Sequence, residues 1–300
     1  MIMYILTFLL VFATIAGFLS RPWWFSIVDF FRLHYACVAL ILLCGSILHM
    51  DWFLMAANTA VIAVNMFRIR HFLPNFNSTG IVQQKKIMSV NAYKENKEPQ
   101  ALAQTIHEAD PDVLLIMEMT GRLQAALLPV LERYSYSLET PVRDGFKICL
   151  YSKNPLDDKE ITHHGPEDTP LLHAKTHING KLYQVFSAHP KPALNGAWHR
   201  EREIYFSEVE KIVGQANELP VIMMGDFNAV PWEPDFQRFL KHTGLKSTIE
   251  GYGYHMTWPV FFPLLGVPMD HILISRNKKY DDLHIGPYVG SDHYPISLNL

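Results

Sequence analysis

The stretch Val221-Ile222-Met223-Met224-Gly225-Asp226-Phe227-Asn228-Ala229-Val230-Pro231 decides how this chain reads. Four apolar residues predict a short buried strand, which stops at a glycine and then presents an acid and an amide two residues apart. Alternate residues of an extended chain point the same way, so Asp226 and Asn228 can face one site. A carboxylate beside an amide suits a hard cation, a phosphate and an activated water. The same residues also suit a strand running into an Asx turn, so the rest of the chain has to decide.

Outward from this stretch, polar residues keep appearing where an apolar strand stops. Asn91 follows Ile87–Val90, Glu118 follows Val113–Met117, and His189 follows Val185–Ala188. Two later cases are inverted, with Asp270-His271 before Ile272–Ile274 and Asp292-His293 before Tyr294–Leu298. If those last strands run antiparallel to the earlier ones, all six ends meet at one edge, where ligand sites of layered α/β proteins tend to lie. Helices are predicted over Glu98–Ala109, Arg122–Glu132 and Ala197–Val213, and further strands over Ile148–Tyr151, Leu171–Thr176 and Leu182–Ala188, the last two joined by an Asn179-Gly180 hairpin signal. Strands alternating with helices, then a strand-rich end, predict an α/β layered fold with mixed sheets.

Each of these polar residues alone reads as a turn residue or a helix cap; six strand ends in one domain point to chemistry. Glu118 and Asp292 can supply carboxylate oxygens to Mg²⁺, with Mn²⁺ as the alternative ion, and Asn91 can complete that site or hold a phosphate oxygen. Asp226, oriented by Asn228, is placed to take a proton from an attacking water. His293 can bind the phosphoryl oxygen or act as acid and base, while Asp270 fixes its tautomer. His189 can stabilise charge building on the phosphorus oxygens. No Cys or Ser nucleophile motif competes, so the residues point to direct attack by a metal-assisted water.

Composition divides the 300 residues in two. Through Arg70 the only charged residues are Arg21, Asp29, Arg32, Asp51, Arg68 and Arg70, which leaves 22 Lys+Arg and 27 Asp+Glu, a net charge of −5, for the remainder. That acidic balance argues against a nucleic-acid backbone as the main partner. Ile2–Ser20, Leu33–Met50 and Trp52–Phe67 are charge-free runs that predict three membrane-spanning helices (about 2–20, 33–50 and 52–67) within a segment 1–70, with Trp23, Trp24 and Trp52 at their edges. Residues 71–86 read as a polar linker and 87–300 as the catalytic domain. Arginines flanking the first loop and the third span place that domain in the cytoplasm by the positive-inside rule. Cys37, Cys44 and Cys149 read as small buried hydrophobes, with no disulfide or zinc spacing.

With these residues assembled, the chain resembles the endonuclease/exonuclease/phosphatase superfamily. Asn91, Glu118, Gly225-Asp226-Phe227-Asn228, Asp270 and Ser291-Asp292-His293-Tyr294-Pro295 stand in that family's order and approximate spacing from about Ile87 to Leu300. The resemblance implies a four-layer α/β sandwich with two facing mixed sheets and a divalent metal, usually Mg²⁺. It implies that Glu118 and Asn91 belong to the metal site with Asp292 beside the family histidine His293, that Asp226 activates water with Asn228 on the phosphate, and that Asp270 and His293 form an Asp–His pair. His189-Pro190 resembles the histidine of the deoxyribonuclease I and sphingomyelinase branches. The apolar helices ahead of this domain resemble membrane proteins of bacterial envelopes whose proposed substrates are polyprenyl pyrophosphates. That implies the bacterial inner (plasma) membrane with the domain outside the cytoplasm, against the charge rule.

Three functions follow. The first is a membrane-anchored, Mg²⁺-dependent phosphoesterase acting on a phosphorylated or pyrophosphorylated lipid among the membrane lipids. The apolar run Phe261–Pro268, between two site segments, can dip into the interface or line a groove for a chain, or be a buried loop. The second is a membrane-tethered endonuclease or exonuclease, with Lys191, Arg200 and Arg202 near His189 as phosphate contacts; the same residues suit a lipid headgroup or a solvated helix face. The third is a non-catalytic binding protein with a degenerate site, against which every expected catalytic position is filled.

Overall fold

The structure is a computed structural model and describes residues 1–19, 22–73, 87–216, 218–278 and 280–300. Helices α1 (Ile2–Ala16), α2 (Trp24–Asp29), α3 (Arg32–Leu48) and α4 (Trp52–Ile69) come first, followed by a 3-10 turn at Arg70–Phe72. The remainder runs β1 (Ile87–Asn91), α5 (Pro99–Ala109), β2 (Val113–Met119), α6 (Gly121–Leu131), β3 (Tyr136–Glu139), β4 (Lys147–Ser152), β5 (Asp157–His164), β6 (Thr169–Ile178) and β7 (Lys181–Ala188). It closes with α7 (Gly196–Gln215), β8 (Val221–Asp226), α8 (Pro234–Thr243), β9 (Leu245–Ser247), β10 (Asp270–Ser275), β11 (Asp281–Ile285) and β12 (Ile296–Asn299).

Two mixed sheets carry the domain, in the orders β11-β12-β1-β2-β4-β3 and β5-β6-β7-β8-β10-β9. Their inner faces share one core, to which Ile87, Val113, Leu115, Met117, Val185, Ile222, Met224, Ile272 and Ile296 contribute. The alternate residues Met88, Leu114 and Ile116 face α5 and α6 on the outside of the first sheet, and Phe186, Val221 and Met223 face α7 and α8 on the outside of the second. Both faces of the central strands are thus covered, which is why Val113–Met117 and Val221–Met224 are continuous apolar runs instead of alternating ones. Helix, sheet, sheet and helix form the layers.

Strand direction brings the polar ends together. β1 runs parallel to β2 and β7 to β8, whereas β12 is antiparallel to β1 and β10 antiparallel to β8. Main-chain pairing carries several strands past their apolar runs: Asn91 pairs with Met117, and Asp226 lies opposite Asp270. Asn91, Glu118, Asp226 and Asp270 therefore belong to their strands, whereas His189 follows β7 and Asp292-His293 stand ahead of β12, which starts at Ile296.

The helical segment differs from the three expected spans. Among the described residues, only Trp52–Phe72 is long and apolar enough to cross a membrane; α1 and α3, with 15 and 17 residues, fall short of the roughly 20 a span needs. The charge-free run at the N-terminus does not continue as helix, because α1 is capped at Gly17. A Cβ on Gly17 would lie 2.6 Å from Arg32 Nη2 and 2.7 Å from Asp29 Oδ1, so this glycine makes room for a buried ion pair. Arg32, read from sequence as a flanking charge, is neutralised there by Asp29, and Arg68 donates to the Trp232 carbonyl. Arg21 and most of the 71–86 linker lie outside the described residues.

Inside this helical unit, Asn58 donates to Thr7 at 3.0 Å and Asn65 to Thr14 at 2.8 Å, the same seven-residue step on both helices, so α1 and α4 run parallel. The antiparallel α3 joins α4 through a tight turn in which Asp51 accepts from Leu54 N–H, as an N-cap does. Cys37 and Cys44 face outward and are exposed; only Cys149 is buried as expected. The unit packs directly onto the domain. Phe30, Ile69 and Phe72 enter the core between the sheets, and Trp232 Nε1 donates to the Asp29 carbonyl at 2.8 Å.

Candidate active site

Gly225 is the one residue type that fits the entrance to the site. Its φ is +155°, and a Cβ would stand 1.8 Å from the Ala188 carbonyl oxygen of the neighbouring strand. The close approach of β7 and β8 sets Asp226 beside His189. Glu118 and Asn228 each adopt a positive φ, 54° and 50°, a conformation uncommon outside glycine and often found where a side chain must be aimed.

Asp226 is the centre. Its Oδ1 accepts from the Asn228 N–H at 2.9 Å, and its Oδ2 lies 3.3 Å from Asn91 Nδ2, 3.5 Å from His189 Nε2 and 3.7 Å from His293 Nε2. His293 turns its other nitrogen to Asp270, with 2.8 Å between Nδ1 and Oδ2. The Ser291 hydroxyl donates to the Asn91 carbonyl at 2.7 Å and accepts from the His293 N–H at 3.0 Å, tying the last loop to the first strand. Asn91 also donates to Glu118 Oε1 at 3.2 Å, and Glu118 Oε2 accepts from Lys94 N–H at 3.0 Å. Asp292 Oδ2 accepts from Trp258 Nε1 at 3.3 Å, and the Asn228 amide donates to the Pro190 carbonyl at 3.0 Å.

These groups polarise one another. Burial pushes the Asp226 carboxyl up, but the His293 and His189 rings beside it outweigh burial and hold it at about 2. Burial pushes His293 down, and Asp270 and Asp226 more than reverse this, to about 10. His189 is likewise raised against burial by its contact with Asp226. Asp270 is raised, by burial above all. The site therefore pairs an ionised Asp226 with two imidazoles whose protonated forms it favours.

Asn91, Glu118, His189, Asp226, Asn228, Asp292 and His293 line one cleft of about 510 Å³. The two carboxylates on its Glu118 side, Glu118 and Asp292, suit a hard divalent cation. Asn91 turns its amide N–H to Glu118 while its Oδ1 accepts from the Tyr93 N–H at 3.0 Å, so it orients Glu118 and does not present an oxygen to that side. Burial raises the Asp292 carboxyl and the neighbouring Glu118 charge adds to it, a repulsion that a cation relieves. Ligand atoms of Asp226, Asp270 and His293 also lie within 4.8 Å of one another, but a proton between His293 and Asp270 already holds that group together.

Two of the basic residues expected near the phosphate are elsewhere. Arg202 is buried, with its guanidinium on Glu233 and the Asn228 carbonyl, because α7 turns this residue inward. Arg200 faces a separate groove with Glu203, Asp235 and Arg238. Lys191 does line the cleft, paired with Glu167. Sequence reasoning missed Lys94 and Arg143, which also line it. Lys94 stands three residues beyond Asn91, so the strand-end rule would have found it; Arg143 sits in a turn with no such signal. The run 261–268 divides: residues 261–265 are exposed, Phe262 at 67% and Leu264 at 88%, whereas residues 266–268 are buried, with Val267 in the core between the sheets, so the buried-loop reading holds for its end only.

The family model described as Endonuclease/Exonuclease/phosphatase family matches residues 88–293. No curated protein matches the chain. Among solved structures, D. rerio TDP2 complexed with single strand DNA product is similar over 72% of this chain and 98% of its own, at 17% identity and a TM-score of 0.58. The human Nocturnin catalytic domain with bound sulfate anion is similar over 76% of this chain and 98% of its own, at 16% identity and 0.59. The beta toxin of Staphylococcus aureus is similar over 71% and 99%, at 20% identity and 0.52. At these identities the likeness is one of fold.

Proposed function

Because the chain belongs to the endonuclease/exonuclease/phosphatase family, whose members are metal-dependent hydrolases, we propose that it hydrolyses a phosphate ester or pyrophosphate of a lipid while seated in a membrane. The observation that carries the lipid is a broad exposed apolar surface. Phe8, Phe12, Ile41, Leu48, Trp52 and Phe53 are exposed on the helical unit, and Phe261, Phe262, Leu264 and Leu265 on the loop beside it. A 2.8 Å hydrogen bond between His34 Nε2 and the Leu264 carbonyl joins that loop to the foot of α3. Soluble monomers rarely expose contiguous apolar patches larger than a few hundred Å², and a bilayer accommodates such a surface.

In this reading Asp226 orients a water and takes its proton as the oxygen–phosphorus bond forms. The phosphorus–oxygen bond to the leaving group breaks, and His293 donates a proton to that oxygen while Asp270 keeps the ring aligned through Nδ1. His189 offsets charge on the phosphoryl oxygens, and Asn228 fixes Asp226. Glu118 and Asp292 would hold Mg²⁺ or Mn²⁺, with Asn91 orienting Glu118, and the ion would neutralise phosphoryl charge when bound.

A second reading, a membrane-tethered nuclease, draws on the DNA-bound D. rerio TDP2 structure and on Lys94 and Arg143 in the cleft. Detergent-purified full-length protein with Mg²⁺, assayed on polyprenyl pyrophosphate, phospholipids and single-stranded or plasmid DNA, separates the two. Lipid turnover that disappears in Asp226→Ala is expected; DNA cleavage without lipid turnover overturns the lipid reading in favour of the second.

A further inference from the structure

The cleft is not built by the hydrolase domain alone. Ile27 and Phe30 of the helical unit line it together with Ala193, Leu194 and Trp198, from the loop and first turn leading into α7. Phe30 is packed in the core between the sheets, so the accessible apolar surface on this wall belongs to half-buried Ile27 and Trp198 and to Leu194, which is 56% exposed. The two segments are fixed to each other. Ser26 Oγ and His199 Nε2 are 3.1 Å apart, and a Cβ on Gly196 would come within 3.4 Å of the Trp23 ring. Asn195 caps α7 by accepting from the Trp198 N–H at 2.9 Å, which fixes the backbone that presents Leu194. The wall is therefore preformed, and the Ile27 and Leu194 side chains offer a ligand no hydrogen-bonding group.

We propose that Ile27 and Leu194 are specificity-determining residues that receive the first carbons of an apolar chain attached to the phosphate. The helical unit then selects the substrate as well as holding the enzyme at its lipid. This inference rests on the lipid reading above and assigns it a place: the phosphate lies among Asp226, His189 and His293, and the chain leaves along α2 and the start of α7. Each methylene that loses water against this wall tightens binding by roughly fourfold.

Isothermal titration of ethyl-, butyl- and hexylphosphonate into full-length protein in detergent with Mg²⁺ tests it. These ligands probe the cleft whatever ester the enzyme cleaves, and their Kd does not depend on the fraction of protein folded. In the unmodified protein Kd is expected to tighten by at least about tenfold from ethyl to hexyl. Ile27→Gln and, separately, the surface variant Leu194→Gln should reduce that ratio to about threefold or less. A steep series that both variants preserve overturns the wall and leaves the lipid reading standing. A flat series in the unmodified protein, or no binding by any phosphonate, overturns the lipid reading and the wall with it.

Discussion

Replacing Arg202 with Met separates two roles that the sequence leaves open, phosphate contact and buried support. Arg202 and Glu233 are 1% and 0% exposed and joined as an ion pair, and Arg202 also donates to the Asn228 carbonyl beside Asp226. Removing one partner of such a pair strands the other and costs roughly 3–5 kcal/mol. At about 2–4 °C per kcal/mol for a domain of this size, that is a fall in Tm of roughly 6–20 °C. Burial already raises Glu233 to about 7 against the pull of Arg202, so without the guanidinium the carboxyl rises further and keeps its proton in the native state. The unfolded chain releases that proton near the ordinary value of 4.5, so the native state binds more protons across the window between the two and stability falls as pH rises. The deficit of Arg202→Met therefore widens above pH 7, where the intact pair has already lost its own proton. Replacing both residues by Met restores most of the stability, since an apolar pair of similar volume fills the same space. Thermal unfolding between pH 5 and 8, with KM on the active substrate, reads this out. An Arg202→Met protein that melts within about 1 °C of the parent but shows a KM raised tenfold or more refutes the buried role.

Three further outcomes are expected. Glu118→Gln should raise the Mg²⁺ concentration for half-maximal activity by at least about tenfold, measured by metal titration of initial rates. His271 is fully buried beside the Ala229 carbonyl and burial holds it down to about 4, so the unfolded chain takes up the proton first and stability is lost as pH falls from 6.5 to 4. Denaturant unfolding across that window should show the parent losing about 3 kcal/mol more than His271→Gln. Phe262→Ser with Leu264→Ser alters exposed side chains only, and should cut turnover of lipid in vesicles about fivefold more than turnover of a soluble short-chain analogue.

What was legible follows from burial. Central strands covered on both faces are apolar throughout, so β1, β2, β7, β8 and β10 stood out, and with them the polar residues that close them. The four edge strands β3, β5, β9 and β11 were missed, because an edge strand has a neighbour on one side only and carries little continuous apolar pattern, and β9 is only three residues long. Helix α8 did carry a signal, Phe236, Phe239 and Leu240 at helical spacing, that was overlooked. Side-chain direction on a helix next to the site was not legible: Arg200 and Arg202 are two residues apart, and one meets solvent while the other is buried. Nor was the length of α1, since a charge-free run specifies an apolar environment but not where the helix ends. Gly17 ends it, for a reason visible only once Asp29 and Arg32 are placed beside it.

That placement also explains why an apolar helical unit and a hydrolase cleft share one core instead of meeting through a tether. Ser26 of α2 hydrogen-bonds His199 of α7; on the same α7, Arg202 pairs with Glu233 and holds the Asn228 carbonyl, and the Asn228 N–H holds Asp226. Every link in this series is buried or half-buried, so each polar group depends on its neighbour for satisfaction in a region of low dielectric. Asn228 occupies a left-handed backbone conformation that the surroundings must enforce, and the Arg202 bond to its carbonyl is one such constraint. An α2 held only by apolar contact could slide along α7 at little cost; the Ser26 and Asp29 hydrogen bonds fix its register against His199 and Trp232. The geometry of Asp226 is thereby set in part by residues that precede the hydrolase domain, through the hold of α2 on α7.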